Sequence, residues 1–176
     1  MKKLLIISTI SLLFISCNKD IDLNNPDVDL FVEQLKAGTY DNYEKGEKGE
    51  NLWLLMPNFD GSHIAALIEK AKDTTHIADF PTNPISSRMP HPQGRDYFIL
   101  GECLLWTVEG IRNGSGFGSL DPFLIDASLD EPERGRGLTG TEILIVRDLY
   151  KNWWDSFKND DWESENPFGS STFRWF

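Results

Sequence analysis

Hydrophobic residues recur along the chain in four stretches with the period of an amphipathic helix, and these stretches set the expected architecture. The segment 94–114 is the most apolar of them. At about 100° per residue, Tyr97, Leu100, Leu104, Val108 and Ile111 form one stripe, Phe98 and Leu105 widen it, and Ile99 and Trp106 occupy the back. Only Glu102, Glu109 and Asn113 make a polar seam. Such a helix must be covered on most of its circumference, so it is expected at the centre of the fold. Asp96 is its expected N-cap and Asn113-Gly114 its left-handed stop. Three further helices are predicted around it. Val28, Phe31, Val32 and Leu35 follow Asn25-Pro26-Asp27 and end at Gly38. Ile64, Leu67, Ile68 and Ala71 follow a cap at Asp60. Ile143, Val146, Leu149, Tyr150, Trp153, Trp154 and Phe157 follow Thr139 and Glu142 at capping-box spacing.

The connections are long. Residues 39–51 contain Glu44-Lys45-Gly46-Glu47-Lys48-Gly49-Glu50 and are expected as an exposed loop, while 52–56 suits either one helical turn or a strand. The segment 73–95 carries Pro81, Pro84, Pro90 and Pro92, which exclude regular structure, and its Ile77, Phe80, Ile85 and Met89 favour packing onto the domain. Residues 115–138 are expected as loop. Thr172-Phe173-Arg174-Trp175 alternates like a short strand, in a tail too aromatic to hang in water. The predicted fold class is mainly α, a small helical bundle or HEAT-like α-α domain of about four main helices with long loops.

Composition narrows the function. The 176 residues carry a net charge of −11, and a basic face for phosphate neutralisation is missing, which excludes nucleic acid as a partner. The two cysteines, Cys17 and Cys103, are too few for a disulfide framework.

The N-terminus has a basic start at Lys2 and Lys3, an apolar run over residues 4–15 too short to span a bilayer, and Ser16 directly before Cys17. Leu13-Phe14-Ile15-Ser16-Cys17 resembles a bacterial lipobox. The resemblance implies a signal peptide over 1–16, cleavage before Cys17, and diacylglyceryl and acyl (palmitate) modification there. The protein would then be an extracytoplasmic, lipid-anchored envelope protein at the outer membrane, with its periplasmic or surface face open. Loss of Lys2 and Lys3 would leave 15 basic against 28 acidic residues, a net charge of −13. Residues 17–25 are polar and acidic and are expected as a tether, followed by a single domain over 26–176.

Chemistry-bearing residues are scattered. Glu102 and Glu109 share a helix face with Cα atoms about 10.5 Å apart, the arrangement of a glycosidase acid and base, or of an acidic strip that reaches water or pairs with Arg95 and Arg112. His76 and His91 share the proline-rich loop as candidate acid-base or metal groups, yet no histidine lies at metal-ligand spacing, and neither metal nor cofactor is expected. Cys103, between Leu100 and Leu104, has the surroundings of a small buried hydrophobe. Gly135-Arg136-Gly137-Leu138-Thr139-Gly140-Thr141 leads into a helix N-terminus that can attract anions, without the Gly-Lys-Ser/Thr ending of a P-loop. Phe80, Asn83 and Trp106 are candidate binding residues.

Phe80-Pro81-Thr82-Asn83-Pro84-Ile85-Ser86-Ser87 followed by Gly101-Glu102-Cys103-Leu104-Leu105-Trp106 resembles an uncharacterised family of Bacteroidetes lipoproteins that carry a domain of unknown function. The spacing of the helices at 64–71 and 100–111 is similar to HEAT or armadillo pairing. The resemblance implies lineage and a helical core and transfers no activity. With no coherent catalytic set, the sequence favours a binding domain with an envelope protein partner over an enzyme. A glycan- or cell-wall-directed hydrolase, or a carbohydrate-binding protein using Trp53, Trp106 or Trp175, is the alternative. Oligomeric state is left open.

Overall fold

A computed structural model of the protein describes residues 20–86 and 91–176. The signal peptide, Cys17 and Met89 lie outside the described residues. Helix α1 spans Val28–Ala37, capped by Asp27, whose carboxylate accepts from the Asp29 and Leu30 N–H groups, and closed by Gly38 at φ 64°. Strands β1 (Tyr43–Lys45) and β2 (Asn51–Leu54) follow as a hairpin. A 3₁₀ turn, Gly61–His63, capped by Asp60, runs into α2 (Ile64–Lys70). Strands β3 (His76–Ile77) and β4 (Phe98–Ile99) pair antiparallel and lead directly into α3 (Leu100–Arg112). Strand β5 (Leu124–Asp126), a 3₁₀ turn at Glu133–Arg136 and α4 (Gly140–Phe157) come next, and β6 (Phe173–Trp175) returns to pair with β5.

The molecule is therefore mixed α/β, and the expectation of a mainly α bundle or HEAT-like domain is corrected. The four helices are joined by three two-stranded antiparallel sheets; β1, β3 and β5 fall in segments expected to be loops, β4 falls in the expected central helix, β2 mostly in the segment left open between a helical turn and a strand, and β6 in the tail that alternates like a short strand. Strands of two to four residues complete too little alternation to register as a period, and two of the sheets pair strands far apart in sequence. The supposed loop at 39–51 holds most of the β1–β2 hairpin, with its charged repeat at the tip.

Helix α3 is central, with every residue from Leu100 to Gly110 buried. It starts four residues after Asp96, because its first turn is capped by backbone. The Leu100 N–H donates to the Thr75 carbonyl at 3.0 Å and the Gly101 N–H to the Asp73 carbonyl at 2.8 Å. Helix α2 thus ends where α3 begins, and a Cβ at Gly101 would lie 2.2 Å from the Ala71 carbonyl oxygen. Asp73 is held for this role by Lys36 and by Thr75, and although burial opposes it, those hydrogen bonds bring its carboxyl down to about 2.

Leu104, Leu105 and Trp106 of α3 are fully buried, as are Ile64 and Leu67 of α2 and Ile143, Val146 and Tyr150 of α4. The core extends past the expected start of the domain. Ile21, placed by the sequence in the tether, is only 5% exposed and belongs to the core. Among the described residues no helix is long and apolar enough to cross a membrane.

Candidate functional site

The two glutamates of α3 face the core in separate ion pairs. Glu102 is fully buried. Its Oε2 accepts from Arg95 Nη2 at 2.6 Å and its Oε1 from the Leu124 N–H at 2.7 Å. Burial pushes its carboxyl up to about 7, against the opposing pull of Arg95 and the Leu124 N–H. Glu109 accepts from Arg112 Nη2 at 2.6 Å, from Arg112 Nε at 3.1 Å and from Tyr150 Oη at 2.8 Å, with Asn113 Nδ2 at 3.3 Å. Tyr150 Oη in turn accepts from Trp175 Nε1 at 2.9 Å, which ties β6 to the same cluster. The polar seam of α3 is thus a pair of core clamps, with Arg95 and Arg112 as the partners.

The other sequence candidates are dispersed. His76, exposed on β3, stacks on Tyr97 with ring centroids 3.7 Å apart. His91 lies against Phe98 at 4.3 Å, its Nδ1 buried with no partner among the described residues and its imidazole pKa lowered mainly by burial. Phe80 and Trp106 are buried in mutual ring contact at 6.0 Å, and Trp106 Nε1 donates to Ser119 Oγ at 2.8 Å. Asn83 Nδ2 reaches the Ser119 carbonyl at 3.4 Å, so these three residues fasten the proline-rich loop to α3 and the segment after it. Cys103 is buried, and burial holds its thiol well above the ordinary range. Arg95, Arg136, Gly137 and Thr139 line a cavity of about 330 Å³ with His76 and Tyr97. Arg136 is engaged with Glu142, as Arg95 is with Glu102, so neither guanidinium there is uncommitted. Among the described residues, no group of three His, Cys, Asp or Glu side chains gathers to hold a metal ion.

A different feature has the form of a binding site. A cleft of about 410 Å³ opens between the segment 56–61, the C-terminal part of α3 with Gly114, Ser115 and Gly116, and the pair Trp162-Glu163. One wall is fixed from the N-terminus. The Asn58 N–H donates to the Leu23 carbonyl at 2.8 Å, and Asn58 Nδ2 donates to Asn24 Oδ1 at 2.9 Å. Phe59 packs edge-on to Phe31 and His63. Asp60 caps the 3₁₀ turn through one oxygen, because Oδ1 accepts from the Ser62 N–H and Ser62 Oγ, while the Asp60 N–H donates to His63 Nδ1 at 3.1 Å, which lies 2.8 Å from the same Oδ1. The Ser62 bonds, with His63 beside them, hold its carboxyl below the usual range.

The opposite wall is pinned at both carbonyls. Trp153 Nε1 donates to the Trp162 carbonyl at 3.2 Å, and Arg112 Nη1 donates to the Glu163 carbonyl at 3.0 Å. The indole of Trp162 stands against Trp153 and Trp154, and a Cβ at Gly61 would lie 3.3 Å from its Cζ2, so glycine there admits the ring. Thr107 and Ile111 also line the cleft. Sequence reasoning missed it because its walls come from three separated segments. The signal available was a tryptophan inside the acidic run Asp160-Asp161-Trp162-Glu163.

Fold and cleft together define a mixed α/β domain with an acidic, aromatic-walled cleft, whose two core glutamates are both held in ion pairs. A family model matches residues 22–176, and the chain belongs to that family, a domain of unknown function (DUF4943). Neither curated proteins nor solved structures give a match to the chain.

Proposed function

We propose that the protein is a lipid-anchored, extracytoplasmic envelope protein that works by binding a protein partner, with the cleft beside Trp162 as its binding site. The observation that carries the binding reading is the fate of the carboxylates. Glu102 and Glu109 are consumed by Arg95, Arg112 and Tyr150 inside the core, whereas Asp60, 70% exposed at its side chain, and the exposed Glu163 stand at an open cleft. A general acid-base pair needs access to substrate, and the α3 glutamates have none. The lipobox at 13–17 supports anchoring through Cys17, and the resemblance to Bacteroidetes lipoproteins supports an outer-membrane location. The domain then begins at Ile21.

Two measurements test this. Full-length protein expressed in a bacterium should partition into the detergent phase, and Cys17→Ser should move it to the aqueous phase; equal partitioning removes the anchor. Cross-linking and capture from envelope extracts should enrich a partner with wild type and less of it with Trp162→Ala. Repeated failure to enrich any partner above control counts against the interaction. A second reading, carbohydrate binding, draws on Trp53, which is 42% exposed on β2, and on Trp162 in the cleft. Titration with a chitin oligosaccharide separates it from the first.

A further inference from the structure

We propose that the cleft is a seat for a basic side chain, the guanidinium of an arginine or the ammonium of a lysine, presented by the partner. The proposal deepens the interaction reading above and rests on it. Of the residues that line the cleft, Asp60 and Glu163 carry negative charge, Phe59 and Trp162 supply aromatic surface, and none is lysine, arginine or histidine. A cation gains from both, because the π-face of an indole attracts it while a carboxylate pairs with it. An anionic ligand would meet only like charge.

The carboxylates are available as well as present. All the described hydrogen bonds to the Asp60 carboxylate fall on Oδ1, which leaves Oδ2 for a ligand. Among the described residues, Glu163 uses its backbone carbonyl to receive Arg112, and its carboxylate makes no ion pair or hydrogen bond. The nearby basic side chains are already committed. Arg112 is turned to Glu109 and the Glu163 carbonyl, and His63 lies on Asp60 Oδ1. The pinned carbonyls of Trp162 and Glu163 fix the backbone that carries ring and carboxylate before a ligand arrives, which lowers part of the ordering cost of binding. A cleft of about 410 Å³ accommodates one long side chain and shared water. The occupant is thus one projecting basic residue of a protein surface, in keeping with the chain's net charge of −11.

The test uses full-length protein in detergent micelles, labelled with 5-fluorotryptophan, with the Trp162 resonance assigned from Trp162→Phe. Titration with Nα-acetyl-arginine amide should shift that resonance saturably, with a Kd on the order of millimolar, and the neutral isostere Nα-acetyl-citrulline amide should not. The double variant Asp60→Asn, Glu163→Gln should weaken the arginine response about fivefold or more. Asparagine keeps a capping oxygen at position 60, and unchanged resonances of the other tryptophans verify the fold. Equal shifts from arginine and citrulline, no shift from either, a response only to a chitin oligosaccharide, or an unweakened response in the double variant overturns the proposal. If wild type captures a partner while arginine leaves Trp162 unmoved, this proposal fails and the interaction reading stands. If arginine binds and no partner is ever captured, the interaction reading is the one that fails.

Discussion

Glu102 shows how much a single buried charge can govern. Its carboxylate has two good partners, Arg95 and the Leu124 N–H, yet it is fully enclosed, and burial drives its titration up to about 7 from an ordinary value of 4.5. An acid whose folded-state value is raised binds its proton more tightly when folded. Its stabilising contribution is full below about 4.5 and is lost as pH rises to about 7, by roughly 3 kcal/mol at most. Urea unfolding at pH 5 and pH 7.5 checks this, since the stability of wild type relative to Glu102→Gln should fall between the two values. A flat difference would mean that the carboxylate is ionised throughout. Asp73 runs the other way, because its hydrogen bonds from Lys36 and Thr75 depress it to about 2, and its contribution is lost only as pH falls toward that value.

At the level of elements, the junction of α2 and α3 is a close backbone approach in the core. The carbonyls of Asp73 and Thr75 cap α3 where no side chain does, and they come close enough only because residue 101 lacks a Cβ. Gly101→Ala should therefore destabilise the protein by about 1–3 kcal/mol despite alanine's better helix propensity, as read from the urea midpoint. A change within about 0.5 kcal/mol of wild type would show that α2 yields freely. The same junction explains what was legible in the sequence. Helix stripes such as Phe31, Val32 and Leu35 span several turns and report themselves, and so do local caps such as Asp60 and Thr139-Glu142. The start of α3 depends on carbonyls 25 or more residues earlier in the chain, so Asp96 was the local candidate and Thr75 the actual partner. Two of the three sheets and the cleft share that property, and the β5–β6 pair joins Leu124 to Trp175. The ion-pair role of the α3 glutamates was legible as an alternative, because Arg95 and Arg112 lie at helical spacing, seven and three residues away.

For the whole molecule, the decisive feature is Ile21. With Cys17 acylated as proposed, three residues, Asn18, Lys19 and Asp20, separate the lipid from a side chain already locked in the core. Four steps along an extended chain reach about 14 Å at most. The domain is then on a short leash. The cleft wall is bonded to Leu23 and Asn24, so under the proposed anchoring the cleft would lie at the leashed end, near the membrane surface. A site so anchored would search in two dimensions and meet membrane-bound partners at high effective concentration. Lengthening the leash by about twelve Gly/Ser residues after Asp20 should lower capture of a membrane-bound partner and leave the arginine titration of Trp162 unchanged.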